Sequence, residues 1–77
     1  MKLNVLIFGQ LTDIFGVANL TLENIFDTNE LVAKLIESYP ALANITYLIS
    51  VDKKVTTENI ALTNNSTVAL LPPFSGG

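Results

Sequence analysis

The sequence contains no cysteine, no histidine, no arginine and no tryptophan. Without cysteine there is no disulfide, no thiolate metal site and no thiol nucleophile. Without histidine the chain lacks the side chain whose proton moves most readily near neutral pH. The four cations are Lys2, Lys34, Lys53 and Lys54, set against seven acidic residues for a net charge of −3. Binding to nucleic acid needs clustered Lys and Arg to displace counterions from phosphates, so no nucleic-acid partner is expected. The acidic balance suits a partner with a basic surface instead. No apolar run approaches the roughly 20 residues of a membrane span, and no small-residue cleavage site follows the apolar start. No membrane partner is therefore expected, and a cytoplasmic location is. Asp13, Glu23, Asp27, Glu30 and Glu37 are scattered, which fits a solvated face and a helix cap better than a pair of catalytic carboxylates. No metal-binding set is present in this inventory.

What remains is a short chain rich in core-forming residues. Its 77 residues are 49% hydrophobic. A chain this long buries roughly 60% of its unfolded surface and supports one modest core. Lys2–Phe8 alternates, with Leu3, Val5 and Ile7 on one face, and reads as a strand that Gly9 ends. Leu11, Ile14 and Phe15 have helical spacing, so a short helical turn is expected before Gly16. Residues 17–22 alternate again and give a second strand, paired antiparallel with the first. Asp27 and Glu30 have the spacing of a capping box, and Phe26 is placed to staple onto Leu31. Leu31, Val32, Leu35, Ile36 and Tyr39 form one apolar stripe, giving a principal helix at about residues 28–39 that Pro40 ends. Strands are expected at 46–51, briefly near Val55, and at 67–71, with a further short element at 59–62 and a turn at Asn64-Asn65-Ser66. Lys53-Lys54 fits a solvated turn. This order predicts an α+β roll of the ubiquitin-like β-grasp type: a mixed sheet with one principal helix.

The most informative segment is Leu70-Leu71-Pro72-Pro73-Phe74-Ser75-Gly76-Gly77. It divides the sequence into a β-grasp domain over 1–71 and a flexible tail over 72–77. Prolines cannot continue a ladder, and they stiffen the exit from the last strand. Two glycines carry no side chains and can be threaded through a narrow channel into another protein's active site. A terminal carboxylate is also a reactive group that needs no catalytic side chain of its own once a partner adenylates it. A bare Gly-Gly is otherwise an ordinary frayed end; here it follows a predicted last strand through a proline pair. Phe8, Val55, Leu71 and Phe74 suit an exposed docking patch, and Phe8 and Leu71 suit ordinary core equally well.

The octapeptide at 70–77 resembles the terminal signature of the small subunit of molybdopterin synthase: a hydrophobic pair, Pro-Pro, an apolar residue, Ser or Thr, then Gly-Gly. Val5-Leu6-Ile7-Phe8-Gly9-Gln10-Leu11 resembles that family's first strand and turn, and Ile49-Ser50-Val51 and Leu62 fit its middle. The departures are Gly9 where the family often has Ala, Thr12-Asp13 for Arg-Glu, Asp52 for Asn, and Asn64-Asn65-Ser66 before the last strand. The resemblance implies that an E1-like enzyme adenylates Gly77 with ATP and that a sulfur donor then makes a thiocarboxylate. It implies that the tail enters the large subunit, in a heterotetramer of two small and two large subunits, to deliver sulfur to cyclic pyranopterin monophosphate. Gly77 would carry the sulfur, Gly76 would give clearance and Pro72-Pro73 would aim the tail. Phe8, Val55, Leu71, Phe74 and Ser75 would meet the partner. No cofactor would be bound by this chain itself, which would act as a sulfur-donating subunit and not as a catalyst alone. Two alternatives stay open: a sulfur carrier for thiamine, cysteine or thiolated tRNA on the same fold, and a ubiquitin-like modifier that joins Gly77 to lysines.

Overall fold

Alternation of Leu3, Val5 and Ile7 with polar neighbours produces the first strand in the computed structural model, which describes residues 2–73. This strand, β1 (Lys2–Ile7), is followed by a 3-10 turn at Gly9–Leu11 and a short helix, α1 (Thr12–Phe15). Gly16 closes α1 in a left-handed cap with φ +74, a conformation that glycine adopts without steric cost. Strand β2 (Asn19–Glu23) returns antiparallel, with Leu22 opposite Leu3 and Leu20 opposite Val5.

The principal helix, α2 (Thr28–Ser38), starts where the cap was expected. The Glu30 N–H donates to Asp27 Oδ1 at 2.8 Å. The return bond differs from a standard capping box, because Glu30 Oε1 accepts from the Phe26 N–H at 2.8 Å, one residue before the cap. Phe26, expected to staple onto Leu31, is 56% exposed, while Leu31 is fully buried. The cause is backbone pairing. The Phe26 carbonyl accepts from the Leu62 N–H at 2.8 Å and Asp27 bridges Ala61, so alternation turns Ile25 inward and Phe26 outward.

Leu31 and Leu35 of α2 are buried against the sheet, and Ile36 and Tyr39 pack at its margin. The Tyr39 ring meets that of Phe15 with centroids 4.5 Å apart. Tyr39 leaves helical geometry at φ −133 and ψ 77, as the following Pro40 requires. A 3-10 segment, Pro40–Asn44, comes next and buries Leu42; nothing in the sequence pattern had pointed to it.

Strands β3 (Leu48–Val51) and β4 (Lys54–Thr56) form a hairpin, and β5 (Thr67–Leu71) runs up the middle. The sheet order is β2-β1-β5-β3-β4, with β1 and β5 parallel and the other pairs antiparallel. This is the mixed sheet that the sequence predicted. Residues 59–62 make a single bridge and no strand, yet they are held firmly: Thr28 and Ile60 exchange Thr28 N–H to carbonyl and Ile60 N–H to Oγ1 bonds, both 3.0 Å. Leu62 enters the core there. The expected turn at 64–66 forms with the Ser66 N–H on the Thr63 carbonyl at 3.1 Å.

Candidate functional site

With α2 and the core on one face of the sheet, the other face carries the alternate residues of each strand. Leu6 of β1 stands opposite Ala69 of β5, Ala69 opposite Ser50 of β3, and Ser50 opposite Val55 of β4. The next row pairs Leu71 with Leu48. The Phe8 N–H donates to the Leu70 carbonyl at 3.1 Å, which carries the β1–β5 pairing one residue further and sets Phe8 at the register position next to Leu71. Phe8 is 45% exposed and Val55 55% exposed, while Leu6, Leu48 and Leu71 are half-buried. At the opposite end of this face the residues are polar: Thr21 Oγ1 donates to Asn4 Oδ1 at 3.2 Å, and exposed Thr67 pairs with Asn4. The outer face thus grades from polar to apolar, and its apolar end is where β5 releases the chain. An exposed apolar patch at such a place has the character of an interaction surface.

Pro72 and Pro73 follow Leu71 directly, so the ladder stops there for want of N–H donors. The proline pair crosses between two parts of the molecule. With Gly9 and Gln10 it lines an open groove of about 370 Å³. With Gln10, Leu11, Asp13, Ile14, Ile45 and Thr46 it lines another of about 430 Å³. A third groove, of about 280 Å³, lies beside α2 and includes Thr28, Val32, Tyr47 and Glu58. Burial pushes the pKa of the Tyr47 hydroxyl above its ordinary value.

Of the residues singled out from the sequence, the fold brings Phe8, Leu71, Pro72 and Pro73 to one end of the sheet. Val55 lies on the same face, at its edge. The alternative that Phe8 is core does not hold, because it is exposed on the outer face. Phe74, Ser75, Gly76 and Gly77 lie outside the described residues. Leu6, Leu48 and Ala69 complete the patch and were missed. Alternation alone placed Leu6 with Phe8, but only the register shows that β3 and β5 contribute to the same face.

A mixed five-stranded sheet against one principal helix, with a central last strand leading into a proline pair, is a ubiquitin-like β-grasp domain. Solved structures agree on the fold. The chain is similar to SAMP1 from Haloferax volcanii, with a TM-score of 0.79 and 18% identity over 100% of both chains. It is also similar to subunit 1 in a protein–protein complex of subunits 1 and 2 of molybdopterin-converting factor from Helicobacter pylori 26695, with a TM-score of 0.75 and 25% identity over 100% of both chains. The family model of the ThiS family matches residues 5–77. The chain belongs to the ThiS family and is a ubiquitin-like sulfur carrier.

Proposed function

We propose that this carrier is the sulfur-donating small subunit of a molybdopterin synthase, acting in the cytoplasm. The observation that carries this reading is the full-length likeness, at 25% identity, to a subunit of molybdopterin-converting factor that is complexed with its second subunit. The terminal octapeptide at 70–77 supports it, as does an apolar patch at the end of the sheet where the chain leaves β5.

On this reading Gly77 bears a free carboxylate in the cell. An activating enzyme joins that carboxylate to the α-phosphorus of ATP, and pyrophosphate leaves. Sulfide-level sulfur from a donor then attacks the acyl carbon, the acyl C–O bond to phosphate breaks and AMP leaves, giving the thiocarboxylate. In the large subunit the thiocarboxylate sulfur displaces an oxygen substituent from a carbon of cyclic pyranopterin monophosphate, so that a C–S bond forms as a C–O bond breaks; two loaded carriers supply the two sulfurs of the dithiolene. Water then attacks the acyl carbon, the acyl C–S bond breaks, and the carboxylate is regenerated for another round. This chain supplies the carried sulfur, the clearance of Gly76 and the aim of Pro72-Pro73; acid–base groups come from the partner. Phe8, Leu71 and Val55, together with Phe74 and Ser75, meet the large subunit, whose more basic surface complements the net charge of −3.

The test is a reconstitution. The chain is prepared with a Gly77 thiocarboxylate and mixed with the large subunit of the same organism and the pyranopterin precursor. Formation of the dithiolene product, with loss of sulfur from the carrier seen by intact mass, is the expected outcome. A thiocarboxylated chain that leaves the precursor untouched, while donating sulfur in a thiamine or cysteine pathway, overturns the assignment to molybdopterin.

A further inference from the structure

The sheet has two edges, β2 and β4. An open edge offers unpaired N–H and C=O groups to any strand that fits, and proteins guard such edges by shortness, lysines or proline. Strand β4 is guarded: it has three residues, begins with Lys54 and follows Lys53. Strand β2 is not. It runs five residues, with no proline, no lysine and one charge, Glu23, at its last position. The register says which groups this edge offers. The Ile7 N–H donates to the Ala18 carbonyl at 2.8 Å, so Ile7 and Ala18 form a hydrogen-bonded pair of the antiparallel β1–β2 ladder. Such pairs alternate, so Leu20 and Leu22 also turn their backbone groups toward β1, opposite Val5 and Leu3. Asn19, Thr21 and Glu23 therefore direct theirs away from the sheet. The bond from Thr21 Oγ1 to Asn4 Oδ1 fits this assignment, since it spans a non-hydrogen-bonded pair, where side chains lie closest. Among the described residues no strand meets this side of β2. Leu20 and Leu22 are left half-buried at the margin of the core.

We infer that β2 is a self-pairing edge: two copies of this chain join antiparallel through it, about a two-fold axis beside Thr21, and their sheets become one continuous sheet. Three features commit the edge to a second copy. The outward-directed residues are symmetric about Thr21, so Thr21 faces Thr21 and Asn19 faces Glu23 of the other copy, and each of their N–H groups finds a carbonyl. On the inner face the same register sets Leu20 against Leu22 at non-hydrogen-bonded positions, covering the apolar margin that each single copy leaves open. On the outer face Glu23 meets Asn19, so no like charges oppose each other across the seam. Edge-to-edge pairing covers neither face, so Phe8, Leu71 and Val55 stay accessible in both copies. One strand pair is a small contact, so the association is weak and is seen at high-micromolar concentration or above. Each copy carries a net charge of −3, so added salt tightens the pair by screening that repulsion. None of this depends on the sulfur-transfer assignment.

The test is a dilution series on the full chain, followed by NMR and by sedimentation equilibrium. The amide signals of Asn19, Thr21 and Glu23 should shift with concentration in step with the sedimenting mass, while those of β4 stay in place. Thr21→Pro removes an outward N–H, at a position where an edge strand tolerates proline, and should weaken association at least about tenfold with the fold retained. If that variant does not fold, charge decides. Thr21→Lys and Thr21→Glu each set like charges opposite one another and should each self-associate at least about threefold more weakly than wild type. An equal mixture of the two should recover wild-type association, now loosened by salt where the wild-type pair is tightened. A chain that stays monomeric to millimolar concentration overturns the inference, and so does an association that ignores these variants. Shifts at the same amides that appear only when the large subunit is added would give the edge to that partner and equally end the inference. Reconstituted sulfur transfer is read separately, so failure here leaves that assignment standing, and failure there leaves the paired edge standing.

Discussion

Gly77 and Leu35 show two ways in which one residue matters. Gly77 lies beyond the core-forming strands, and its removal should leave the melting curve unchanged. On the proposed mechanism the same deletion should abolish sulfur transfer, because shortening the tail withdraws the carbon proposed to carry sulfur by about 3.3–3.6 Å. A calorimetric melt and a product assay on one preparation check both halves, and wild-type transfer by the shortened chain would refute the carrier mechanism. Leu35 is the opposite case. It is almost fully buried in the middle of α2, among Leu31, Leu42 and the inner faces of the strands. Leu35→Ala should cost about 2–5 kcal/mol in chemical denaturation, the lost transfer energy plus the cavity left behind. In a domain with few core residues to spare, that loss is a large part of the total stability.

Elements are set by their ends as much as by their middles. Helix α2 begins at the Asp27 cap and stops at Pro40, and both signals stand in the sequence. The β3–β4 hairpin turns through two residues, Asp52 at φ +50 and Lys53 at φ +73, so both sit in the left-handed region without being glycine. Asp52 has compensation: its Oδ1 accepts from the Thr67 N–H at 2.9 Å, and its own N–H reaches the Thr67 carbonyl at 2.8 Å. Among the described residues no such bond to its side chain is seen for Lys53. Lys53→Gly should therefore raise stability by about 1 kcal/mol, since left-handed backbone costs an ordinary L-residue roughly that much. A higher urea midpoint with an unchanged slope would confirm it; a lower midpoint would mean that the Lys53 side chain contributes more than its backbone costs.

At the scale of the molecule, the two faces of the sheet have separate tasks. The inner face holds the protein together, and the outer face grades toward an apolar end beside the tail. Val55 tests that separation, being more than half exposed on the edge strand β4. Val55→Asp should change stability by about 1 kcal/mol or less, the span of strand propensity. On the proposed reading it should weaken binding of the large subunit by at least about tenfold, or ~1.4 kcal/mol, by placing a desolvated charge in the proposed contact. Titration calorimetry beside a melting curve separates the two effects. Unchanged affinity would show that the partner does not reach the β4 edge and that the contact is confined to Phe8, Leu71 and the tail.

The sequence by itself determined the local geometry. Alternating side chains made strands at 2–7 and 67–71, a 3.6-residue stripe made α2, and Pro40, Pro72 and Pro73 set limits, because each of these rests on the covalent form of nearby residues. The terminal octapeptide was likewise legible as a local pattern. What only the tertiary structure decided is which distant pieces meet. The Pro40–Asn44 turn buries Leu42 although its composition suggests a loop, because the core needs a residue there. Phe26 faces outward because residues 60–62 pair beside it. The outer patch exists because β5 inserts parallel to β1 and beside β3, bringing residues 8, 48 and 71 to one end. The close approach of Pro72 to Gly9 joins positions at opposite ends of the chain. Such contacts depend on strand order and register across the whole sheet, and no local pattern carries that information.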